Sequence, residues 1–307
     1  MWSNPNFWYR EPVFFESFFL KPISALYSCV AKKNYNRKYQ NSLSNQKVIA
    51  VGGLTVGGSG KTIVTQFIVN ELTKQGKRVA VLSRGYGRKS DKIIRVNPEE
   101  HSHKDVGDEP LLLSKYCPVF VGKNRAESAK FAGDDFDVFV LDDGIVQRYL
   151  KPDLRVLVVD GKQGIGNGHM LPLGPNRLKL SWIKDDINAI VSFNNFKSDF
   201  EPVFNAQTHI TPISGAVIAF CGLGYPQKFF DSLTSCSLLK CIEFPDHHKY
   251  TDDDIKNLLN LKHQYSAKLV TTMKDFVKIP KCYQSDITAI DVNASIDGFS
   301  DWLNTVV

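Results

Sequence analysis

Several features that mark specialised protein classes are scarce in this 307-residue chain. It has six cysteines, but no two form a CxxC pair and none has the spacing of a zinc site. A disulfide framework and a structural zinc domain are therefore not expected. Free thiols in a reducing compartment are expected instead, and three of them are predicted to be buried because they lie in or beside apolar runs: Cys117, Cys221 and Cys241.

The chain also lacks an uninterrupted apolar run long enough to span a membrane. Its most apolar N-terminal stretch, 13–31, is broken by Glu16, Lys21 and Pro22, and no small-residue cleavage site follows it. Drawn as a helix, this stretch has a narrow polar face (Ser17, Lys21, Ser24, Ser28) and a broad apolar one (Phe15, Phe18, Phe19, Leu26, Val30). Four basic residues follow: Lys32, Lys33, Arg37 and Lys38.

An apolar helix face beside a basic cluster is typical of a helix that lies in the interface of an anionic bilayer. The alternative is a helix packed on the domain or on another subunit, because periodicity does not distinguish lipid from protein. The net charge of +6 and the pI near 8.8 agree with anionic partners in general. No basic stripe interleaved with aromatics is present, so no nucleic-acid partner is expected.

The stretch that organises the chain is KVIAVGGLTVGGSGKT, residues 47–62. An apolar strand, a glycine-rich turn and a GKT sequence opening a helix form the layout of a phosphate-binding loop, whose backbone N–H groups and helix N-terminus attract an anion. Thr55 replaces the first glycine of the strict pattern. We predict that the loop binds a nucleotide, that Lys61 reaches the β- and γ-phosphates, and that Thr62 ligates Mg²⁺. The predicted nucleotide-binding residues are Thr55, Val56, Gly57, Gly58, Ser59, Gly60, Lys61 and Thr62.

Beyond this loop, buried strands alternate repeatedly with helical segments. The pattern predicts an α/β fold with a phosphate-loop-type parallel sheet covered by helices, a second smaller α/β unit and an N-terminal amphipathic helix. The predicted division is 1–40 for the interfacial helix and basic segment, 41–192 for the phosphate-loop core, 193–215 for a linker or β-ribbon, and 216–307 for the second unit.

Candidate functional residues follow the predicted strands, where ligands of such sheets bind. Arg84 and Arg88 follow one strand, and Asp142 and Asp143 end another. A carboxylate in the latter position typically holds the Mg²⁺ shell, although two aspartates can also be a solvated strand end. Asp108 and Glu109 open a helix, where acidic residues also serve as caps.

In the second unit, the sequence FPDHH at 244–248 precedes a helix. An aspartate beside two histidines suits proton management better than zinc, since no third ligand is spaced for a metal. A helix-capping loop is the alternative.

Two other classes of phosphate-loop protein fit the sequence less well. Partitioning ATPases, which are membrane-bound switches, carry an extra lysine near the start of the loop, where this chain has Val56. Guanine specificity would need a lysine two residues before Asp275, and Met273 stands there.

Taken together, the motifs resemble those of the tetraacyldisaccharide 4'-kinases of lipid A biosynthesis. The matching blocks occur in order from 51 to 278: VGGLTVGGSGKT, LSRGYGR, VGDEPLLL, GKNR, LDDG, GNGHMLPLGPNR, FCGLGYPQKFF, FPDHHKYT and TTMKDFVK. The resemblance implies ATP- and Mg²⁺-dependent phosphorylation of a sugar hydroxyl on an acylated glucosamine disaccharide 1-phosphate. It also implies a location at the cytoplasmic face of a Gram-negative inner membrane, held there peripherally or monotopically.

The resemblance further implies roles for single residues. Asp108 matches the family's catalytic carboxylate and His247 the histidine that supports it, with Lys61 as the third catalytic residue. The implied Mg²⁺ ligands are Thr62, Glu109, Asp142 and Asp143. Candidates for contact with the substrate are Arg84, Arg88, Asn124, Arg125, Asn167 and Asp246. The family usually continues DDG with Phe-Gln-His, whereas this chain has Ile145, Val146 and Gln147, so the role of that family histidine is not carried over.

Overall fold

The computed structural model describes residues 5–224, 226–246 and 248–307. Two sheets account for the strands of this part of the chain. The large sheet has the order β13-β8-β7-β6-β1-β5-β2-β4-β3 and the small sheet the order β10-β9-β11-β12. The strands are β1 Lys47–Gly52, β2 Val79–Ser83, β3 Ile94–Arg95, β4 Val119–Val121, β5 Val138–Leu141, β6 Leu154–Asp160, β7 Ala189–Phe193, β8 Val203–Ile210, β9 Ala216–Cys221, β10 Ser237–Glu243, β11 Lys268–Thr272, β12 Ile287–Ile290 and β13 Val292–Ile296.

Helices connect and cover the strands. They are α1 Phe14–Tyr35, α2 Lys61–Lys74, α3 His103–Val106, α4 Asp108–Leu113, α5 Arg125–Ala132, α6 Leu180–Ile183, α7 Gln227–Ser232, α8 Asp252–Tyr265, α9 Met273–Phe276 and α10 Phe299–Val306. Short 3₁₀ turns lie at Asn6–Tyr9, Lys184–Asp186 and Lys281–Asp286.

Strand β1 lies at the centre of the large sheet, in parallel pairing with β5 and β6. Its side chains alternate between two apolar cores: Ile49 and Val51 pack on the side of α2 and α10, and Val48 and Ala50 on the side of α5. Because both faces are covered, every residue of β1 after Lys47 is buried. This double covering explains why the strand reads as a continuous apolar run in the sequence.

The small sheet is wholly parallel and is likewise covered on both faces. Phe229 and Phe230 of α7 pack on one face, and Ile255 and Leu258 of α8 on the other. We call β9 to β12 with α7, α8 and α9 the small unit. The predicted α/β class, with its second unit and N-terminal helix, is confirmed.

The sheets depart from the predicted boundaries in two respects. The segment 193–215 contains β8, which is a strand of the large sheet. The segment 216–307 contains β13, which also belongs to the large sheet, and α10, which packs against it. Strand β13 runs antiparallel to β8 and is partly exposed. Its sequence therefore has no continuous apolar run from which a buried strand could be predicted. The division into domains itself stays a prediction.

The positions of the cysteines correct the prediction that Cys241 is buried. All six cysteines are free, and Cys221 is buried, but Cys241 is exposed because it lies on the open face of β10, an edge strand of the small sheet. Cys117 is half-buried.

Helix α1 lies on the large-sheet part of the protein with the serines of its polar face inward, while Lys21 of that face is exposed. The buried hydroxyl of Ser24 donates to the carbonyl oxygen of Met170 at 2.8 Å, and the helix ends at Tyr35, which is buried in the apolar core beside α6. The aromatic face points outward: Phe14, Phe15, Phe18 and Phe19 are between 59% and 79% exposed. No helix among the described residues is long and apolar enough to cross a membrane.

Candidate active site

The loop between β1 and α2 has the backbone form that an anion site needs. Gly57 and Gly60 take φ values of 117° and 91°, a region that side chains with a Cβ atom rarely adopt. A Cβ atom on Gly60 would also lie 2.5 Å from the ring of Phe193. A second segment braces the loop: the amide of Val56 donates to the carbonyl oxygen of Pro175 at 2.9 Å, and Thr55 bridges to Asn176.

Two polar side chains of this loop are poised for a ligand. The Oγ atom of Ser59 is buried and has no hydrogen-bond partner within the described residues. The ammonium of Lys61 donates to the carbonyl oxygen of Gly57 at 3.3 Å, folded over the loop that it closes. Burial lowers the pKa of Lys61, although Asp143, Asp142 and Glu109 lie near enough to oppose that shift. A cation and three carboxylates therefore meet at the start of α2.

The two aspartates that follow β5 have different surroundings. Arg177 holds Asp143 with two hydrogen bonds of 2.6 and 2.7 Å, and its guanidinium also donates to the carbonyl oxygen of Gly53 at 2.8 Å. Burial raises the pKa of Asp143, but Arg177 and Lys61 outweigh it and bring the pKa to about 2. Asp143 is therefore ionised at neutral pH and tied to the phosphate loop through Arg177.

Asp142 carries the opposite pKa shift. It is buried, with a 3.4 Å hydrogen bond from the hydroxyl of Ser83. Burial, followed by the nearby carboxylates of Glu109 and Asp143, raises its pKa to about 7. A carboxylate in this state is stabilised by a bound cation, and hard oxygen ligands are those that Mg²⁺ takes. The surroundings of Asp142 thus fit a metal site.

This pKa shift gives a prediction for stability. Because the folded chain binds the Asp142 proton more tightly than the unfolded chain, the contribution of Asp142 to stability is fully present below about pH 4 and is lost as the pH rises to about 7. Asp142→Asn should remove this loss. The measurement is the free energy of unfolding in urea between about pH 4 and about pH 8, without nucleotide or Mg²⁺. Parallel pH profiles for the two proteins would contradict the assignment.

Asp108 and Glu109 lie at the start of α4, shortly after the single turn of α3. Asp108 is only 8% exposed. The side chain of His103 in α3 is half-buried, and its pKa is lowered by burial against the charge of Asp108. Its Nε2 atom is buried without a hydrogen-bond partner among the described residues. A neutral histidine therefore lies near the predicted catalytic carboxylate.

The small unit adds further groups from the opposite side. Helix α9 packs on α4, and the ammonium of Lys274 lies 3.1 Å from the Glu109 carboxylate. Asp246 and Asp108 also lie close enough to raise the pKa of Lys274 against its burial. The structure therefore brings the carboxylates of Asp108, Glu109 and Asp246 near Lys274.

Of the two adjacent histidines, only one can be assigned a place. His247 lies outside the described residues, and its support of Asp108 stays a prediction. The Nε2 atom of His248 lies 3.0 Å from the carboxylate of Asp254, which also accepts hydrogen bonds from Thr251 at the start of α8. The ring of His248 stacks on Phe244. His248 therefore belongs to the cap of α8.

Besides Asp246, which lies near Lys274, the predicted substrate residues fall into two groups. Arg125 is 5% exposed, with its pKa lowered to about 10 by burial and by Arg84, against the nearby Asp143 and Asp142. Arg84 itself is exposed at the end of β2. These two arginines lie near the carboxylates of Asp142 and Asp143. In this position they suit the binding of a phosphate-bearing ligand.

Arg125 also donates to the carbonyl oxygen of Lys123 at 2.8 Å, and the three remaining residues have partners within the protein fold as well. Arg88 donates to the carbonyl oxygen of Lys92 at 2.7 Å, and the carbonyl-type oxygen of the Asn124 side chain accepts from the amide of Ala126 at the start of α5. The amide of Asn167 donates to the carbonyl oxygens of Phe7 and Leu173, both at 3.0 Å. In the structure these three side chains are hydrogen-bonded to backbone groups of the protein. Their contact with a substrate stays a prediction.

Gln147 stands where the family usually has histidine. It is 8% exposed, and its amide closes a turn by donating to the carbonyl oxygen of Leu150 while accepting from the amides of Tyr149 and Leu150. In this chain the side chain at position 147 therefore stabilises the backbone turn that it closes.

Sequence reasoning missed three residues of the site: Arg177, Lys274 and His103. Arg177 and Lys274 stand in the blocks GPNR and TTMKD, so their motifs were visible. Their partners, Asp143 and Glu109, lie far away in the chain, and spacing alone does not indicate such pairs.

The fold and this site define a nucleotide-binding protein of the phosphate-loop class, with a lysine on the loop and carboxylates at the neighbouring strand end. The family profile of the tetraacyldisaccharide-1-P 4'-kinases, LpxK, matches residues 16–307. The chain belongs to this family.

Individual relatives agree with the profile. The chain is 36% identical to a tetraacyldisaccharide 4'-kinase from Hyphomonas neptunium, over 93% of this chain and 89% of the relative. It is 35% identical to one from Gluconobacter oxydans, over 94% and 92% of the two chains. A crystal structure of LpxK from Aquifex aeolicus in complex with ATP matches with a TM-score of 0.78 at 27% identity, over 95% of this chain and 98% of the other.

Proposed function

We propose that the protein is an ATP- and Mg²⁺-dependent kinase that phosphorylates the 4'-hydroxyl of a tetraacylated glucosamine disaccharide 1-phosphate. Family membership supports the reaction and the substrate class. The observation that carries the proposal is the phosphate loop, with the Lys61 ammonium over it and the Asp143 carboxylate tied to it through Arg177. The other class considered, a membrane-associated ATPase switch, is not favoured by these relatives.

In this reaction the sugar hydroxyl oxygen forms a bond to the γ-phosphorus of ATP. The bond between that phosphorus and the bridging oxygen to the β-phosphate breaks, and ADP leaves with the bridging oxygen. Asp108 accepts the hydroxyl proton, as one positioned carboxylate is sufficient for phosphoryl transfer. Lys61 and the loop amides hold the phosphates. Mg²⁺, when bound, neutralises charge on the β- and γ-phosphates. Thr62 and Asp142 would hold it, with Glu109 and Asp143 as further candidates.

The direct test is transfer of labelled phosphate from ATP to the lipid, separated by thin-layer chromatography. We expect a labelled product only when the acylated disaccharide 1-phosphate and Mg²⁺ are both present. Hydrolysis of ATP that is independent of the lipid, with no labelled lipid, would favour the switch class instead.

We further propose that α1 places the enzyme on an anionic membrane surface, at the cytoplasmic face of a Gram-negative inner membrane. The polar face of α1 is turned to the protein through Ser24, while the exposed face carries a row of phenylalanines. An exposed apolar surface of this kind usually marks a binding site. A groove of about 200 Å³ runs between α1 and the body, from Val30 to Arg177. Arg177, which lines this groove, is the residue that holds Asp143. The absence of a nucleic-acid partner stays a prediction.

The basic cluster after α1 gives a test of this surface. Replacing Lys32, Lys33, Arg37 and Lys38, all exposed, by glutamine should lower affinity for anionic vesicles by orders of magnitude, at about 1 kcal/mol for each charge. The loss should be smaller at high salt because screening has already weakened the attraction. Activity on a short-chain soluble analogue should survive. Vesicle co-sedimentation and the soluble-substrate assay measure both effects.

A matched control replaces four exposed lysines elsewhere: Lys74, Lys77, Lys130 and Lys256. If this control loses vesicle binding equally, net charge and not the cluster is responsible. Unchanged sedimentation with lost activity would show that the cluster serves the fold of the kinase.

A further inference from the structure

Lys274 brings a second positive charge to the site from the small unit. Its ammonium lies 3.1 Å from the Glu109 carboxylate, and both side chains are 24% exposed. Glu109 in turn lies near enough to Lys61 and Asp142 to act on the pKa of each. Glu109 therefore pairs with Lys274 of the small unit and also lies near the lysine of the phosphate loop.

The backbone that carries Lys274 is held firmly. The hydroxyl of Thr272 caps α9 by accepting from the amide of Asp275 at 3.1 Å, and it donates to the Asp275 carboxylate at 2.7 Å. Asp275 also forms a fully buried ion pair of 2.6 Å with Lys278. The turn before and after Lys274 is thus fixed to the core of the small unit, and this rigidity aims its side chain at α4.

The Lys274 ammonium is placed among carboxylates, with Glu109 at 3.1 Å and Asp108 and Asp246 nearby. A largely buried ion pair contributes little net stability to a fold, because desolvation offsets the attraction. A lysine held beside the predicted metal ligand and base is therefore better explained by the reaction than by the fold.

We propose that Lys274 is a catalytic residue, a second cation that contacts the oxygens of the transferring γ-phosphoryl group. The inference rests on the proposed function. In phosphoryl transfer, negative charge spreads over the equatorial oxygens of the γ-phosphorus while its bond to the sugar oxygen forms and its bond to the bridging oxygen breaks. Lys61 neutralises this charge from the loop, and Lys274 from the small unit. Without nucleotide, Lys274 rests on Glu109.

The test compares Lys274→Met and Lys274→Arg with the matched control Lys281→Met. Lys281 also pairs across the two units, with Glu99 at 3.2 Å, but both side chains are well exposed and lie outside the site. We expect Lys274→Met to lower kcat at least about a hundredfold, as loss of one transition-state donor does. Lys274→Arg should retain much of the activity, and Lys281→Met should equal the wild type.

Equilibrium binding provides a readout that is independent of turnover. Calorimetry should show that Lys274→Met binds ADP with Mg²⁺ within about threefold of the wild type. Its affinity for ADP with Mg²⁺ and aluminium fluoride, which mimics the transferring phosphoryl group, should fall by a factor similar to the fall in kcat. If circular dichroism shows that the methionine variant is less folded, the affinities with and without aluminium fluoride are compared for Lys274→Gln instead.

Two results would overturn the inference. The first is a kcat for Lys274→Met within about threefold of the wild type. The second is an equal loss of affinity for ADP with and without aluminium fluoride, because Lys274 would then only shape the nucleotide site. A wild-type protein that transfers no phosphate to the lipid would overturn the proposed function. An active wild type with an unaffected Lys274→Met variant overturns this inference alone.

Discussion

Replacing Lys61 by alanine is expected to lower the rate of phosphate transfer by about a thousandfold or more, because the change removes the cation of the loop that neutralises the β- and γ-phosphates. The Lys61 ammonium lies over the loop, bonded to the carbonyl oxygen of Gly57, in the region where the phosphates would bind. The measurement is kcat with saturating ATP and lipid, together with the melting temperature.

Lys74→Ala is the matched control for this variant. Lys74 ends the same helix, and its exposed ammonium pairs with Glu71 at 2.7 Å, far from the loop. The control should keep full activity and a similar melting temperature. Activity of Lys61→Ala within about tenfold of the wild type would remove Lys61 from the catalytic set.

The second large effect is expected for Asp108→Ala. If Asp108 accepts the hydroxyl proton, the variant should lose about a hundredfold to ten-thousandfold in kcat, while KM for ATP changes little, because the proton is accepted only as the reaction proceeds. Asp108 is buried between α3 and the small unit, near His103 and Lys274. Steady-state kinetics with ATP varied at saturating lipid measure the two constants.

Asp105→Asn is a suitable control for this variant. Asp105 is exposed in the same α3 segment, where its carboxylate accepts hydrogen bonds from Ser102, and asparagine can keep an acceptor there. The control should be close to the wild type. If Asp108→Ala instead fails to bind ATP with Mg²⁺ and its chemistry at saturation is unchanged, Asp108 is a metal ligand and another residue takes the proton.

The sequence predicts the central sheet well because parallel strands buried on both faces must be apolar throughout. Strand β5 meets that condition, β1 does so after Lys47, and β6 does so apart from Arg155 and Asp160. The return of β13 to the same sheet escapes prediction, since β13 is partly exposed and pairs antiparallel with β8, which is far away in the chain. Long-range pairing of a short edge strand leaves no local pattern.

The residues of the site likewise divide into those that the sequence predicts and those that it does not. Asp142 and the loop lysine are predictable because each follows a strand directly and the carboxyl ends of parallel strands meet. Arg177 and Lys274 are placed by tertiary packing, one by the segment that braces the loop and the other by α9. For Asn124 and Asn167 the sequence shows polar residues in the blocks GKNR and GNGHMLPLGPNR, whereas only the structure shows which backbone groups they hold.

The most direct measurement of the central claim is the position of the new phosphate in the product. The purified lipid product of a reaction with ATP and Mg²⁺ can be examined by phosphorus–proton correlation NMR. The account predicts a bisphosphate whose new phosphorus couples to the proton at the 4' position, with one ADP formed for each lipid phosphorylated. A phosphate on any other oxygen, or ADP formed without phosphorylated lipid, would contradict it.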